Sequence, residues 1–90
     1  MRIGERLMPT VTIRYWAAAK SAAGVAEETR KAATLDELLS AISAGRDELA
    51  RVVKLSSFVI DGAPVGVRDR GAVRLSEGAV VEVLPPYAGG

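Results

Sequence analysis

The sequence predicts an α+β domain: a mixed sheet of about four to five strands with one main helix packed on one face. Three observations predict it. Period-two stretches of β-forming residues stand at both ends of the chain, "TVTIRYWA" at 10–17 and "VVEVL" at 80–84. Between them "TLDELLSAI", residues 34–42, is a capped amphipathic helix. Strands precede and follow this helix, which suits a sheet covered on one side only.

Taken in order, residues 1–9 carry no periodicity, and Met8-Pro9 separates them from the first strand, so they read as a flexible extension. In that strand Val11, Ile13 and Tyr15 point one way and Thr12, Arg14 and Trp16 the other. "AAKSAAG" favours a short helical turn closed at Gly24, where a left-handed residue suits a helix end. "VAEETRKA" is a second strand whose charges suit a solvated edge. Thr34 and Glu37 then form a capping box, and Asp36 and Glu37 lie favourably at the positive end of the helix. Leu35, Leu38, Leu39 and Ile42 make one buried stripe. Gly45 ends or kinks the helix, and "RDELARVV" adds another turn or two with Leu49, Val52 and Val53 inward. "SSFVIDGAPV" reads as a strand, an Asp61-Gly62 turn and a return strand. "VRDRGAVRL" is loop-like, "SEGA" is a tight turn, and residues 80–84 close the sheet. Residues 10–86 are thus the domain, and 87–90 form a flexible tail.

The composition excludes several kinds of chemistry. The 90 residues contain neither cysteine nor histidine, which removes disulfides, thiolate metal sites, cysteine nucleophiles and the usual neutral-pH base. Twelve basic and eleven acidic residues give a formal charge of +1 with no basic run, which disfavours nucleic-acid binding. No stretch is long and apolar enough to span a membrane, and "MRIGERLMPT" has no signal-peptide core, so a soluble cytoplasmic protein is expected. The acidic pairs Glu27-Glu28, Asp36-Glu37 and Asp47-Glu48 read as solvated or helix-start charge, because adjacent residues do not face each other across a cleft. The chain is therefore expected to have no catalytic groups of its own, no metal site and no bound cofactor.

Two regions attract a functional reading. By strand parity Trp16 and Leu84 lie on the sheet face opposite Val81 and Val83, and a single helix cannot cover both faces. An apolar patch there suits a partner surface, with Lys20 beside it, although an exposed lysine is ordinary in itself. The second region is the tail. Pro85-Pro86 stiffens the chain after the last strand, and Tyr87, Ala88 and Gly89 lead to Gly90. Four residues beyond Pro86 reach roughly 13–14 Å at most. Glycines without Cβ fit a narrow channel, and a terminal carboxylate is ionised at neutral pH. Such a carboxylate is a poor acyl donor until something activates it.

From about Thr10 to Gly90 the chain resembles the ubiquitin-like β-grasp sulfur carriers of the MoaD/ThiS type, most of all the small subunit of molybdopterin synthase. The resemblance rests on "IRYWAAAKSAAG", "TLDELLSAI", "LSEGAVVEVLPP" and the terminal Gly89-Gly90. It implies a β-grasp fold and a role as protein cosubstrate in molybdenum cofactor biosynthesis. An ATP-using, E1-like enzyme (MoeB-like) would adenylate Gly90, and a sulfur donor would convert it to a thiocarboxylate. A MoaE-like large subunit, in a heterotetramer, would take in Pro86, Tyr87, Ala88 and Gly89 and dock on Trp16, Lys20 and Leu84. Carriers for thiamine thiazole, cysteine or tRNA thiolation share this end, as do ubiquitin-like modifiers, and a plain interaction module whose Gly90 does no chemistry is the remaining alternative. The chain departs from the pattern in its first nine residues and in a longer "GVRDRGAV" segment.

Overall fold

In the computed structural model, which describes residues 8–86, alternation along the first strand separates two environments. β1 (Thr10–Tyr15) buries Val11, Ile13 and Tyr15 and leaves Arg14 exposed. α1 (Ala17–Ala23) follows at once and is closed by Gly24, whose φ of 80° lets its N–H reach the Lys20 carbonyl at 2.9 Å. β2 (Glu27–Lys31) returns antiparallel to β1. α2 (Leu35–Ser43) and α3 (Asp47–Leu55) come next, and β3 (Ser57–Ile60) forms a hairpin with β4 (Ala63–Pro64). A 3₁₀ turn at Arg70–Ala72 precedes β5 (Val80–Leu84).

The sheet order is β2-β1-β5-β3-β4. β1 and β5 are the parallel centre, with Ile13 opposite Val81 and Tyr15 opposite Val83, and the remaining pairs are antiparallel. The first and last strands are therefore neighbours, and the solvated edge expected for β2 is found. Asp61 and Gly62, at φ 49° and 85°, make the doubly left-handed turn that a two-residue hairpin requires. The Asp61 carboxylate also accepts from the Val80 N–H at 2.9 Å and ties the turn to β5.

One face of this sheet carries the core. Leu35, Leu38, Leu39 and Ile42 from α2 and Leu49 and Val53 from α3 pack with Val11, Ile13, Tyr15, Phe58, Val81 and Val83. Each large aliphatic side chain buried this way contributes about 1.5–3 kcal/mol. The helical layer is larger than one main helix, because α3 matches α2 in length at nine residues. Gly45, at φ 73°, lets the chain turn between them. Thr34 caps α2 by accepting from the Glu37 N–H at 3.2 Å, while Glu37 reaches back past Thr34 to the Ala33 N–H at 2.9 Å.

The long segment before β5 is anchored rather than loose. Leu35 donates its N–H to the Val73 carbonyl and Leu75 to the Ala33 carbonyl, each at 2.9 Å. The Arg70 guanidinium lies 4.6 Å from the Phe58 ring centroid. Of the expected N-terminal extension, Pro9 accepts a hydrogen bond from Ala32 at 3.1 Å. Met8 is exposed, and residues 1–7 of that extension, like Tyr87, Ala88, Gly89 and Gly90, lie outside the described residues.

Candidate functional site

The sheet face away from the helices is uncovered among the described residues. Pairing registers place Thr12, Arg14, Val80, Glu82, Leu84, Val59 and Pro64 on it. Val59, Val80 and Leu84 are half-buried, so a small apolar strip runs over β5 and β3. Strand parity predicted this face for Trp16 and Leu84. The same parity puts Val80 there, but it did not single out Val59 or Pro64, because their placement depends on how β3 pairs with β5 and β4.

Trp16 stands where β1 ends. It retains 49% of its accessible surface, and its indole Nε1 donates to Glu82 Oε1 at 3.0 Å. Its backbone N–H donates to the Val83 carbonyl at 3.3 Å. The next residue, Ala17, sits at φ 49°, a left-handed conformation uncommon for a residue with a Cβ. This abrupt turn starts α1 directly after the strand and leaves the indole at the border of the open face. Because β1 and β5 run parallel, the same end of the sheet releases Leu84, Pro85 and the exposed Pro86. The large exposed aromatic thus stands at the root of the tail.

Trp16 and Lys20 line one shallow recess of about 230 Å³, together with Arg14, Tyr15, Ala26 and Glu27. The Arg14 guanidinium pairs with Glu27 across its rim at 3.2 Å. Leu84 lies two residues beyond Glu82 on the open face and does not line the recess. Glu82, which accepts from the Trp16 indole outside the recess lining, is a residue that sequence reasoning did not assign to the site. The signal available was a single acid on the Trp16 side of an otherwise apolar strand.

Behind the recess, Glu28 departs from the solvated role expected of it. Neighbouring Glu27 faces the open side, but Glu28 points toward the helices, and its side chain is only 14% exposed. It accepts from the Tyr15 hydroxyl at 2.8 Å, from Arg30 at 2.8 Å, and from both terminal nitrogens of Arg46. The Arg46 hydrogen bonds foremost, opposed by burial and helped by Arg30 and Tyr15, hold the Glu28 carboxyl down at about 2. Burial, then the bond to Glu28, raises the Tyr15 phenol above its ordinary range. The phenol stays protonated and the carboxylate is saturated with donors, so this cluster clamps β2 and the start of α3 to β1 rather than offering a base. Among the described residues no three metal-ligating side chains gather, and no helix is long and apolar enough to cross a membrane.

Comparison with known proteins gives this geometry a family. The model of the ThiS family matches residues 13–90. The chain belongs to the ThiS family. Solved structures agree on the β-grasp fold. Small archaeal modifier protein 1 from Methanosarcina acetivorans superposes with a TM-score of 0.80 at 18% identity, covering 92% of this chain and 98% of that one. A putative molybdopterin converting factor subunit 1 from Pyrococcus furiosus gives 0.73 at 23%, covering 88% and 99%. A chain of the complex of subunits 1 and 2 of molybdopterin-converting factor from Helicobacter pylori gives 0.67 at 23%, covering 90% and 99%. No curated protein matched the chain by sequence. In this ThiS-family chain, the matched segment contains the second half of the first strand, all of the open face but Thr12, and the whole stretch from Pro85 to Gly90.

Proposed function

We propose that this chain is a sulfur carrier whose working group is the Gly90 carboxylate, and that it serves as the small subunit of a molybdopterin synthase. The observation that carries the reading is the family match running through Gly89-Gly90, behind a strand and two prolines. The carboxylate attacks the α-phosphorus of ATP on an E1-like partner, forming a glycyl adenylate and releasing pyrophosphate. A sulfide equivalent from a sulfur donor then adds at the acyl carbon and AMP leaves, which gives a thiocarboxylate. Partner enzymes supply the catalytic groups, in keeping with a chain that lacks cysteine and histidine. The tail delivers the sulfur into a large subunit that docks on the open face around Trp16, Lys20 and Leu84. Likeness to a chain of a solved complex between subunits 1 and 2 of a molybdopterin-converting factor supports a partner of this kind.

A ubiquitin-like modifier is the second reading, favoured by the likeness to small archaeal modifier protein 1. There Gly90 would end in an isopeptide bond to a lysine. Intact-mass measurement of the protein isolated from its own cells separates the two. Sulfur in place of oxygen at Gly90 supports the carrier, whereas Gly90 found only in conjugates supports the modifier. Copurification of a synthase large subunit decides the destination, and its absence alongside another acceptor enzyme would redirect the carrier to another pathway.

A further inference from the structure

The unpaired edge of the sheet carries a pattern that reads the same in both directions once sign is reversed. β2 is Glu27-Glu28-Thr29-Arg30-Lys31, with two acids and two bases placed symmetrically about Thr29. β2 is an edge strand, paired only with β1. The ladder between them is bracketed by Tyr15 N–H to the Ala26 carbonyl and Ala32 N–H to the Pro9 carbonyl. Its register is continuous, with Ile13 opposite Glu28 and Val11 opposite Arg30. Backbone groups alternate in direction along an antiparallel strand. Glu28 and Arg30 therefore turn theirs toward β1, and Glu27, Thr29 and Lys31 turn theirs outward. These three residues are also the exposed ones. Among the described residues Lys31 makes no ion pair.

We propose that β2 is a self-pairing edge at which a second copy of this chain adds antiparallel, with the two-fold axis at Thr29. In that register the outward residues face one another: Thr29 meets the second copy's Thr29, and Glu27 meets the second copy's Lys31. Each of these facing positions exchanges two backbone hydrogen bonds. Between them Glu28 meets the second copy's Arg30 at the closer, non-hydrogen-bonded spacing. Every charge on the strand is thereby opposite its complement, an arrangement that favours pairing, while like charges directly opposite disfavour it. The alternatives are poor. Sliding by the smallest step that keeps outward groups facing each other puts Glu28 on Glu28 in one direction and Arg30 on Arg30 in the other. The edge charges thus block most pairings and permit one. Such a contact is isologous and closes as a dimer. It joins two sheets edge to edge and leaves the open faces with Trp16 and Leu84 free. A contact of five residues per strand is small, which places it among weak associations.

Sedimentation equilibrium of the full chain at low ionic strength, over about 20 µM to 1 mM to suit a weak association, tests the proposal. The wild type should move from monomer toward dimer, and salt should weaken the association. Lys31→Glu and Glu27→Lys each place like charges across the axis and should remain monomeric at the highest concentration. Circular dichroism checks that both variants keep the fold. Mixed in equal amounts, the two variants should associate again, because the mixed pair restores both opposite-charge contacts. Thr29→Pro removes the central outward N–H without changing charge, and should weaken self-association at least tenfold. A wild type that stays monomeric throughout overturns the proposal, even if an unrelated extended peptide binds the same edge. Undiminished association of Lys31→Glu, or no association in the mixture, overturns it equally.

Discussion

Trp16 and Glu82 are joined across the parallel β1–β5 pair, indole Nε1 to carboxylate Oε1 at 3.0 Å. The bond holds an aromatic ring that keeps half its surface exposed at the root of the tail. An exposed indole would otherwise sample several rotamers, and immobilising such a side chain on binding costs about 0.5–1.5 kcal/mol. Glu82→Ala should therefore leave the melting temperature nearly unchanged and weaken capture by the partner subunit about two- to tenfold. Glu82→Gln keeps an acceptor and should bind close to wild type. Titration calorimetry against the large subunit measures both.

Trp16 itself should matter more. Truncating a large aromatic at an interface centre commonly costs about 2 kcal/mol or more, so Trp16→Ala should weaken partner binding by about thirtyfold or more with little effect on folding. Thermal melts and calorimetry together check this. Lost folding with intact binding would place the indole in the core.

The Glu28 cluster makes stability depend on pH at the acid end. Its carboxyl lies near 2 in the folded protein against 4.5 for an ordinary glutamate. A group lowered on folding stabilises the fold above its unfolded value, and that stabilisation is lost as pH falls toward the folded one. The loss should run from about pH 4.5 down to about pH 2 and amount to about 1–2 kcal/mol after allowance for solvent screening. Urea denaturation at a series of pH values measures it. Glu28→Gln should be less stable at neutral pH and show a shallower acid limb.

Leu38 is fully buried on α2. Leu38→Asp places an unpaired carboxylate in the core and should cost several kcal/mol, a large share of the roughly 5–10 available to a small domain. A melting temperature equal to wild type would contradict the packing of α2 against the sheet.

Deleting Gly90 should leave the fold intact and abolish ATP-dependent thiocarboxylate formation with the cognate activating enzyme. The deletion shortens the reach by about 3.5 Å, and a misplacement of about 1 Å can already reduce a rate on the order of a hundredfold. One alanine added after Gly90 should be nearly as damaging. Intact-mass spectrometry follows the replacement of oxygen by sulfur. Wild-type rates in either variant would place the reaction elsewhere.

Local rules determined much of this protein. Period-two alternation placed β1 and β5 and assigned Trp16 and Leu84 to the face away from Val81 and Val83. The Thr34 cap and the Leu35-Leu38-Leu39-Ile42 stripe placed α2, and Asp61-Gly62 placed the hairpin. Each of these depends on residues a few positions apart, so the chain specifies them before it folds. The tertiary structure decided what depends on distant partners. Glu28 looked like surface charge beside Glu27 until Arg46, eighteen residues away, and the Tyr15 hydroxyl converged on it. Glu82 meets Trp16 only because the first and last strands lie side by side, sixty-six residues apart in sequence. The long segment before β5 showed no local periodicity because its order comes from backbone bonds to the start of α2 and from Arg70 on the Phe58 ring. Sequence shows which side of a strand a residue occupies; only the closed sheet brings a particular partner to that side.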